Sequence, residues 1–586
     1  MRRLMCCRST HRSAPAWCSI TGRLPTPGLC RAAATATGSS SQAALRRLPP
    51  RSGWQATRSA RPGRRRSRRH RQAPRTLSIG GVSLDFLASH AEALPDKPAL
   101  ILGDRVVDFA TLNRRVSRAA TVLAGLGCRE DDRVALMSFN SIEGAEIASG
   151  SRRAGLVIVP VNYRLRGAEI AYVLNDSGAK VAIAGPDHVD AMAEAMPDVK
   201  GDVTFVAVDG AVPEGWLSYR ELTRDAPEDF TSIAEGLGAS MIYTSGTTGH
   251  PKGAWRPHGV DIANVLQVIS IFELTQSDRH LLCGPGYHSA VSFFSVLHQV
   301  LGATVVMQKK FDAGDALDLI ERHRVTTTFM APTLLRRLVD AQEERPRDTS
   351  SLRALILGAA PCPYALKVRA EAVFGSVLWE FYGATETGIN TVLRPEDQMR
   401  KPGSCGTAVP GQEIRLMRDD GSEASVGEPG EFMVRSSWVA EYYNRPDATS
   451  KSLRDGFFSV GDIAYRDDEG YYFICDRRID MIISGGVNIY PAEIEAVLHA
   501  HPAVVDAAVI GVPDEEFGES VKAVVQLKPD ASVLDTELIA FCGERLAGYK
   551  KPRSVDFIDE LPRDAAGKLL KRTLRDAYWA GAGRRI

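Results

Sequence analysis

A chain of 586 residues, 44% hydrophobic and 24% charged, is too long for one core and reads as a multi-domain globular protein. No apolar run reaches the ~18 residues of a membrane span; the stretch from Ile147 to Val161 is cut by Arg152 and Arg153. The net charge of +1 hides two unlike parts, because residues 1–75 carry 18 Arg and no Lys, Asp or Glu. The remainder therefore holds 54 Lys and Arg against 71 Asp and Glu, a balance of −17 that argues against a nucleic-acid-binding body.

Three readings fit the arginine-rich leader. It suits a mitochondrial transit peptide, or a basic nucleic-acid arm around Arg64-Arg65-Arg66-Ser67-Arg68-Arg69, or upstream sequence translated from a misplaced start. Under each, it has too few large apolar residues for a core, and disorder is expected before about Leu77. Of ten cysteines four lie in this leader, and the other six are scattered without a C-x-x-C pair. Neither a zinc site nor a disulfide framework is indicated. The compartment expected is the cytoplasm, or the mitochondrial matrix if the leader is a transit peptide.

From Val82 to about Leu237 strand-like and helix-like segments alternate: Arg133–Met137, then a helix from Ile142 to Ala154, a strand from Leu156 to Val161, a helix from Gly167 to Asn175, and a strand from Lys180 to Ala184. Such alternation predicts layered α/β structure with parallel strands. Ala239–Tyr243 then reads as a buried strand that leads into Tyr243-Thr244-Ser245-Gly246-Thr247-Thr248-Gly249-His250-Pro251-Lys252. Val265, Val268, Ile269 and Phe272 follow at helical spacing. Strand, Gly/Ser/Thr loop and helix would offer backbone N–H groups and hydroxyls to phosphate oxygens, with Lys252 adding charge. The spacing is not the Walker pattern, since Pro251 stands where a glycine before the lysine is needed.

A strand is expected from Leu281 to Gly286, with Tyr287 and His288 next and an apolar helix from Val291 to Leu301. A lone histidine is more often structural than chemical. Further strands are expected at Thr304–Met307, Thr326–Phe329 and Ala354–Leu357. After the last of these, the small residues Gly358-Ala359-Ala360-Pro361 would let backbone lie flat against a purine. In Phe381-Tyr382-Gly383-Ala384-Thr385-Glu386, Tyr382 can stack on a base, Thr385 can hydrogen-bond a phosphate, and Glu386 is a hard oxygen ligand suited to Mg²⁺. A small β subdomain is expected over Gly403–Met433. Asp462 can accept from two vicinal ribose hydroxyls, and Arg477 offers a planar fork to ribose or phosphate. Pro491 suits the first turn of a helix with an apolar face of Ile494, Val497 and Leu498. Strands at Asp506–Ile510 and Val521–Leu527 and a helix near Thr536–Leu546 complete an α+β C-terminal unit.

Taken in order, these segments closely resemble the motifs of the adenylate-forming superfamily, and in particular its AMP-forming acyl-CoA synthetases. The phosphate loop, the Gly-Ala-Pro-like turn, Tyr382-Gly-x-Thr-Glu386, Asp462 with Arg477, and Pro562-Arg563 leading to Gly567-Lys568 cover residues 79–579. The resemblance implies an α/β fold: a leader to 76, a large N-terminal AMP-binding domain over 77–478 and a small mobile α+β lid over 479–586. It implies ATP, Mg²⁺ and coenzyme A, with Thr244, Ser245, Gly246, Thr247, Thr248, Gly249 and Lys252 on the phosphates. Gly358, Ala359, Ala360, Pro361, Phe381, Tyr382, Gly383, Ala384 and Thr385 would hold the adenine and α-phosphate, and Asp462 and Arg477 the ribose. It gives Glu386 and Thr244 to the metal, makes Lys568 the catalytic lysine alongside Glu386, Thr244 and His288, and has Gly485 and Gly486 line the CoA tunnel. Two departures stand out: Ile479 at the hinge, usually Asp or Lys, and Val487 where Glu is common.

The activity implied is the joining of a carboxylic acid to CoA through an acyl-adenylate. The acid is expected to be fatty, or aromatic, because Tyr287, His288, Val291, Ser292, Phe293, Ala359 and Ala384 supply no carboxylate for an ammonium group. Only 18 residues follow Lys568, too few for a carrier domain, so a free thiol acceptor is expected. The rivals are a stand-alone adenylation enzyme that loads a separate carrier protein and a catalytically dead binding protein on the same scaffold. Expected partners are small molecules and no nucleic acid. A peripheral membrane contact stays compatible with the composition, and a monomer or homodimer is expected.

Overall fold

The computed structural model describes residues 85–580, apart from 233–237, 245–250, 257–258, 478–479, 485–486, 515 and 564–567. The expectations for the leader, for Ser245 to Gly249, for Ile479 and for Gly485 and Gly486 lie outside the described residues.

The alternation read from Arg133 onward becomes a five-stranded, all-parallel sheet. Val157–Pro160, Arg133–Met137, Ala179–Ala184, Thr204–Ala207 and Leu217–Ser218 stand side by side in that order. Local signals delimit the helices between them. The Ser141 hydroxyl accepts from the Gly144 amide 3.0 Å away and starts helix Ile142–Arg153. Gly178, at φ 61°, ends helix Gly167–Ser177 in the left-handed conformation that glycine adopts without strain.

The second unit is a nine-stranded sheet in the order 407–408, 388–393, 378–384, 354–357, 327–330, 279–282, 304–307, 98–102, 105–108. Its middle strands are parallel and its outer pairs antiparallel. Thr304–Met307 and Ala354–Leu357 are buried along their whole length, which is why they read as unbroken apolar runs. Phe272, Phe294, Phe329 and Phe381 pack beneath the sheet's cleft side. Phe294 is fully buried, so Phe294→Ala would cost about 3–5 kcal/mol.

Four sequence expectations need correction. The phosphate-loop segment is not strand–loop–helix: Met241–Thr244 and Lys252–Trp255 pair antiparallel, with Tyr243 opposite Gly253 and Thr244 opposite Lys252. The second strand returns alongside the first, and helix Ile262–Ile271 starts only afterwards. Nor is the leading strand buried throughout. Met241 is, while Ile242, Tyr243 and Thr244 are partly exposed on a three-stranded sheet that Glu441–Tyr442 completes. The strand expected to run to Gly286 is Arg279–Leu282, and Gly284–Gly286 belong to the loop beyond it.

The C-terminal third begins with an antiparallel sheet of 413–417, 430–435, 457–466 and 453–454, with 472–477 added on 457–466. Thr407–Ala408, expected in this β subdomain, instead extends the nine-stranded sheet. Beyond it lies the expected α+β unit, a sheet of 487–489, 482–484, 518–527 and 504–514 with 554–557 parallel to 518–527. Pro491 stands in the first turn of helix Pro491–His499, which buries Ile494 and Leu498.

Candidate active site

A cleft of about 2520 Å³ opens at the carboxyl ends of the parallel strands, where Gly284, Ala331 and Ala359 leave the sheet. Crevices of open α/β sheets form there because successive loops diverge from the strand ends. Asn140 holds the two large sheets together at this edge. From the loop after Arg133–Met137 it donates to the carbonyls of Gly284 and Gln308, each at 2.9 Å, and accepts from the Gly286 amide at 2.9 Å. That brace presents Tyr287 and His288 to the cleft at the start of helix Ser289–Val300.

One wall carries the polar groups. Thr244 ends its strand with its hydroxyl 3.0 Å from Glu386 Oε1, although 142 positions separate them. Tyr442 donates to the same oxygen at 3.1 Å, and its ring lies 4.8 Å from the Lys252 ammonium. The half-buried Arg256 donates to the carbonyls of Thr385 at 2.6 Å and Trp438 at 2.7 Å. Burial lowers its pKa to about 10, against the pull of Glu386, so it stays a cation at neutral pH. Ser289 and Thr385 share a hydrogen bond of 3.1 Å.

The neighbouring stretch forms a shelf. Ala359 has φ +71°, and a Cβ on Gly358 would stand 2.9 Å from Phe381, so the chain can turn there only because its residues are small. Gly383 is equally constrained, since a Cβ would come within 2.0 Å of the Gly388 carbonyl. Tyr382, beside the shelf, donates to Asp462 at 2.5 Å. Burial first, then the Asp462 charge, hold its hydroxyl well above the ordinary range, so it remains a donor. Arg477, opposite Asp462 in the sheet, brings Nε to 3.5 Å from the other carboxylate oxygen.

The structure thus gathers Thr244, Lys252, His288, Ala359, Ala360, Pro361, Phe381, Tyr382, Ala384, Thr385, Glu386, Asp462, Arg477 and Lys568 around one cleft. The expected pocket residues Tyr287, Val291, Ser292 and Phe293 line it too. Gly358 lies just behind, under Phe381. Sequence reasoning passed over Asn140, Arg256, Ser289 and Tyr442. Only Tyr442 carried a usable signal, as an aromatic pair with Tyr443 shortly before Asp462.

The Thr244–Glu386 pair suits Mg²⁺: both donors are hard oxygens, and among the described residues no cluster of three or more His, Cys, Asp or Glu side chains stands ready for a softer metal. An ion that is held by one carboxylate and completed by water and phosphate oxygens is the usual Mg²⁺ arrangement.

Comparison with known proteins agrees with this geometry. Residues 87–444 match the AMP-binding enzyme family, and residues 493–568 match the AMP-binding enzyme C-terminal domain. A long-chain-fatty-acid–CoA ligase of Mycobacterium tuberculosis, FadD13, is 38% identical over 80% of this chain and 93% of its own. A feruloyl-CoA synthase of an Amycolatopsis species is 38% identical over 83% of this chain and 97% of its own. Among solved structures, the o-succinylbenzoate CoA synthetase MenE of Bacillus subtilis with ATP and a magnesium ion superimposes with a TM-score of 0.74. It shares 33% identity, over 83% of this chain and 98% of that one.

Proposed function

The chain belongs to the AMP-binding enzyme family and is an AMP-forming carboxylate–CoA ligase using ATP and coenzyme A, and from that premise we propose how its own residues divide the work. In the first half-reaction a carboxylate oxygen attacks the α-phosphorus of ATP, the bond to the β-phosphate breaks, and acyl-AMP and pyrophosphate result. In the second, the CoA thiol attacks the acyl carbon, loses its proton and expels AMP. No protein nucleophile is required, so positioning and charge stabilisation carry the catalysis, and orientation alone can contribute roughly 7–11 kcal/mol.

The observation that carries the proposal is the convergence of Thr244, Glu386 and Tyr442 on one oxygen beside Lys252. We assign Glu386 and Thr244 to the Mg²⁺ that accompanies ATP; when bound, the ion would supply positive charge to the phosphate oxygens. Tyr442 holds the Glu386 carboxylate in place. Lys252 and Thr385 meet phosphate, the Ala359 shelf and Tyr382 sandwich the adenine, and Asp462, fixed by Tyr382 and Arg477, meets the ribose. Lys568, carried by the lid unit that we take to begin after Arg478, bridges the substrate carboxylate and the α-phosphate. His288 and Tyr287 border the path between acid and thiol.

The acid is proposed to be fatty. Val291 and Phe293, together with Trp438, give its pocket an apolar and aromatic lining, with no carboxylate among the expected pocket residues. Pyrophosphate release across a panel of fatty, aryl and amino acids tests the assignment, and fastest turnover of an aryl acid would replace it. AMP release without CoA dependence would instead favour transfer to a separate carrier protein.

A further inference from the structure

Lys568 acts only if the unit that carries it is docked, and one contact between that unit and the large sheet involves few side chains. Helix Pro332–Glu344 leaves the nine-stranded sheet at the cleft edge. Arg336 on this helix donates to the Val505 carbonyl at 3.0 Å and lies 3.5 Å from Asp506 Oδ2. Both acceptors open strand 504–514 of the C-terminal unit. Asp506 is only 4% exposed, and it is shared. Its Oδ1 faces His499 Nε2 at 3.1 Å, and its Oδ2 receives the Arg563 guanidinium. Arg563 in turn forms a backbone bridge with Leu569, the neighbour of Lys568.

One buried carboxylate therefore joins a helix of the large domain to the base of the lysine-bearing segment. Burial pushes the Asp506 carboxyl up, but the hydrogen bond from His499 and the charge of Arg563 outweigh this and hold it ionised far below the ordinary carboxylate range. The chemistry of the contact is specific. A planar guanidinium can meet a carbonyl and a carboxylate at once, which an ammonium cannot reproduce with the same spacing.

We propose that Arg336 is a positioning residue for acyl-adenylate formation, docking the C-terminal unit through Val505 and Asp506 so that Lys568 faces the cleft. The inference rests on the reading that Lys568 serves this half-reaction. The contact belongs to the docked arrangement described here, so it has no part in thioester formation if the lid turns between the steps.

The test measures both half-reactions in Arg336→Ala and Arg336→Lys: pyrophosphate release from acid and ATP, and acyl-CoA formation from supplied acyl-AMP and CoA. Arg336→Ala is expected to slow the first on the order of 10²-fold, the scale of a small misplacement remote from the chemistry. The second should stay within about twofold, and Arg336→Lys should recover only part of the loss. Arg336 is 28% exposed, so the variant is expected to fold, and thermal melting checks this. Equal slowing of both half-reactions with a lowered melting point would make Arg336 merely structural and overturn the proposal. So would an unchanged first half-reaction. Lys568→Ala measured alongside separates the two layers: if it spares adenylation, the reading of Lys568 has failed, whereas if it blocks adenylation while Arg336→Ala does not, only the docking inference has failed.

Discussion

The two walls of the cleft hold their polar groups by different means. On the nucleotide wall, Thr244, Glu386 and Tyr442 sit at strand ends or in tight turns of hydrogen-bonded sheets, and each is fixed by the others. On the C-terminal wall, Lys568 reaches the cleft from a unit that meets helix Pro332–Glu344 through Arg336, Val505 and Asp506. Lys571 adds an ion pair of 3.5 Å to Asp476 at the end of strand 472–477, and a second of 2.9 Å to Glu495 within its own unit. Backbone ladders and packed rings cannot be exchanged without unfolding, but a few ion pairs can be broken and remade. A wall of the first kind is fixed with the fold, whereas a wall of the second kind can part from its neighbour without either unfolding.

The comparison is most sharply tested at Lys568. Lys568→Ala is expected to lower acyl-AMP formation on the order of 10²–10³-fold, as loss of a preorganised donor does. Conversion of supplied acyl-AMP and CoA should continue near the normal rate. Equal losses in the two half-reactions, measured separately, would mean that the C-terminal wall does not exchange. The fixed wall should respond differently. Glu386→Gln keeps shape but removes a charge, and the Mg²⁺ concentration for half-maximal adenylation should rise roughly 10-fold or more, with KM for the acid little changed. An unaltered Mg²⁺ titration would give Glu386 a purely structural task.

Acid should also separate the walls. His280 and His298 stack in the core of the large sheet at 4.2 Å and share the Thr327 hydroxyl. Burial lowers the His298 pKa to about 4 and that of His280 well below 6.5. The unfolded chain therefore takes up protons below about pH 6.5 that the folded chain refuses. Stability falls as pH drops from there toward 4, by up to about 1.4 kcal/mol per pH unit for each ring. Asp506, whose pKa is also depressed, has the same sign but a lower window: its carboxylate stays charged here, and its contribution is lost only as pH falls below the ordinary carboxylate range. Urea midpoints at pH 7 and pH 5 should show the body weakening, and His298→Gln should flatten the difference. A slope unchanged by that substitution would place the acid sensitivity elsewhere. The smallest effect is expected from removing residues 1–74, which should leave kcat/KM and the melting temperature as they are; a large loss in either would tie the leader to the fold.

Much of the nucleotide wall was legible because its chemistry is written in contiguous residues. Tyr382 to Glu386 form one segment, the small residues at Gly358 to Pro361 another, and the buried strands beneath them are uninterrupted apolar runs. The antiparallel pairing of Met241–Thr244 with Lys252–Trp255 was not legible, because Lys-Gly-Ala-Trp has no strand alternation of its own and becomes a strand only by pairing with Met241–Thr244 and Glu441–Tyr442. Tyr442 and Arg256 were missed for the same reason, since their partners lie far away in sequence. The contact of Arg336 with Val505 spans 169 positions, and no local pattern announces it. Arg336 reads as one more charged residue on an amphipathic helix.

The three-stranded sheet also sets an order of events during synthesis. Met241–Thr244 and Lys252–Trp255 leave the ribosome as neighbours, but their outer partner is Glu441–Tyr442, and Asp462 comes later still. A nascent chain that has completed both large sheets still lacks the tyrosine that steadies Glu386 and the carboxylate beside Tyr382. Long-range pairings of this kind carry a loop-closure cost that delays them. The nucleotide wall is thus among the last parts of the body to close, and a growing polypeptide cannot have it whole until Asp462 has emerged.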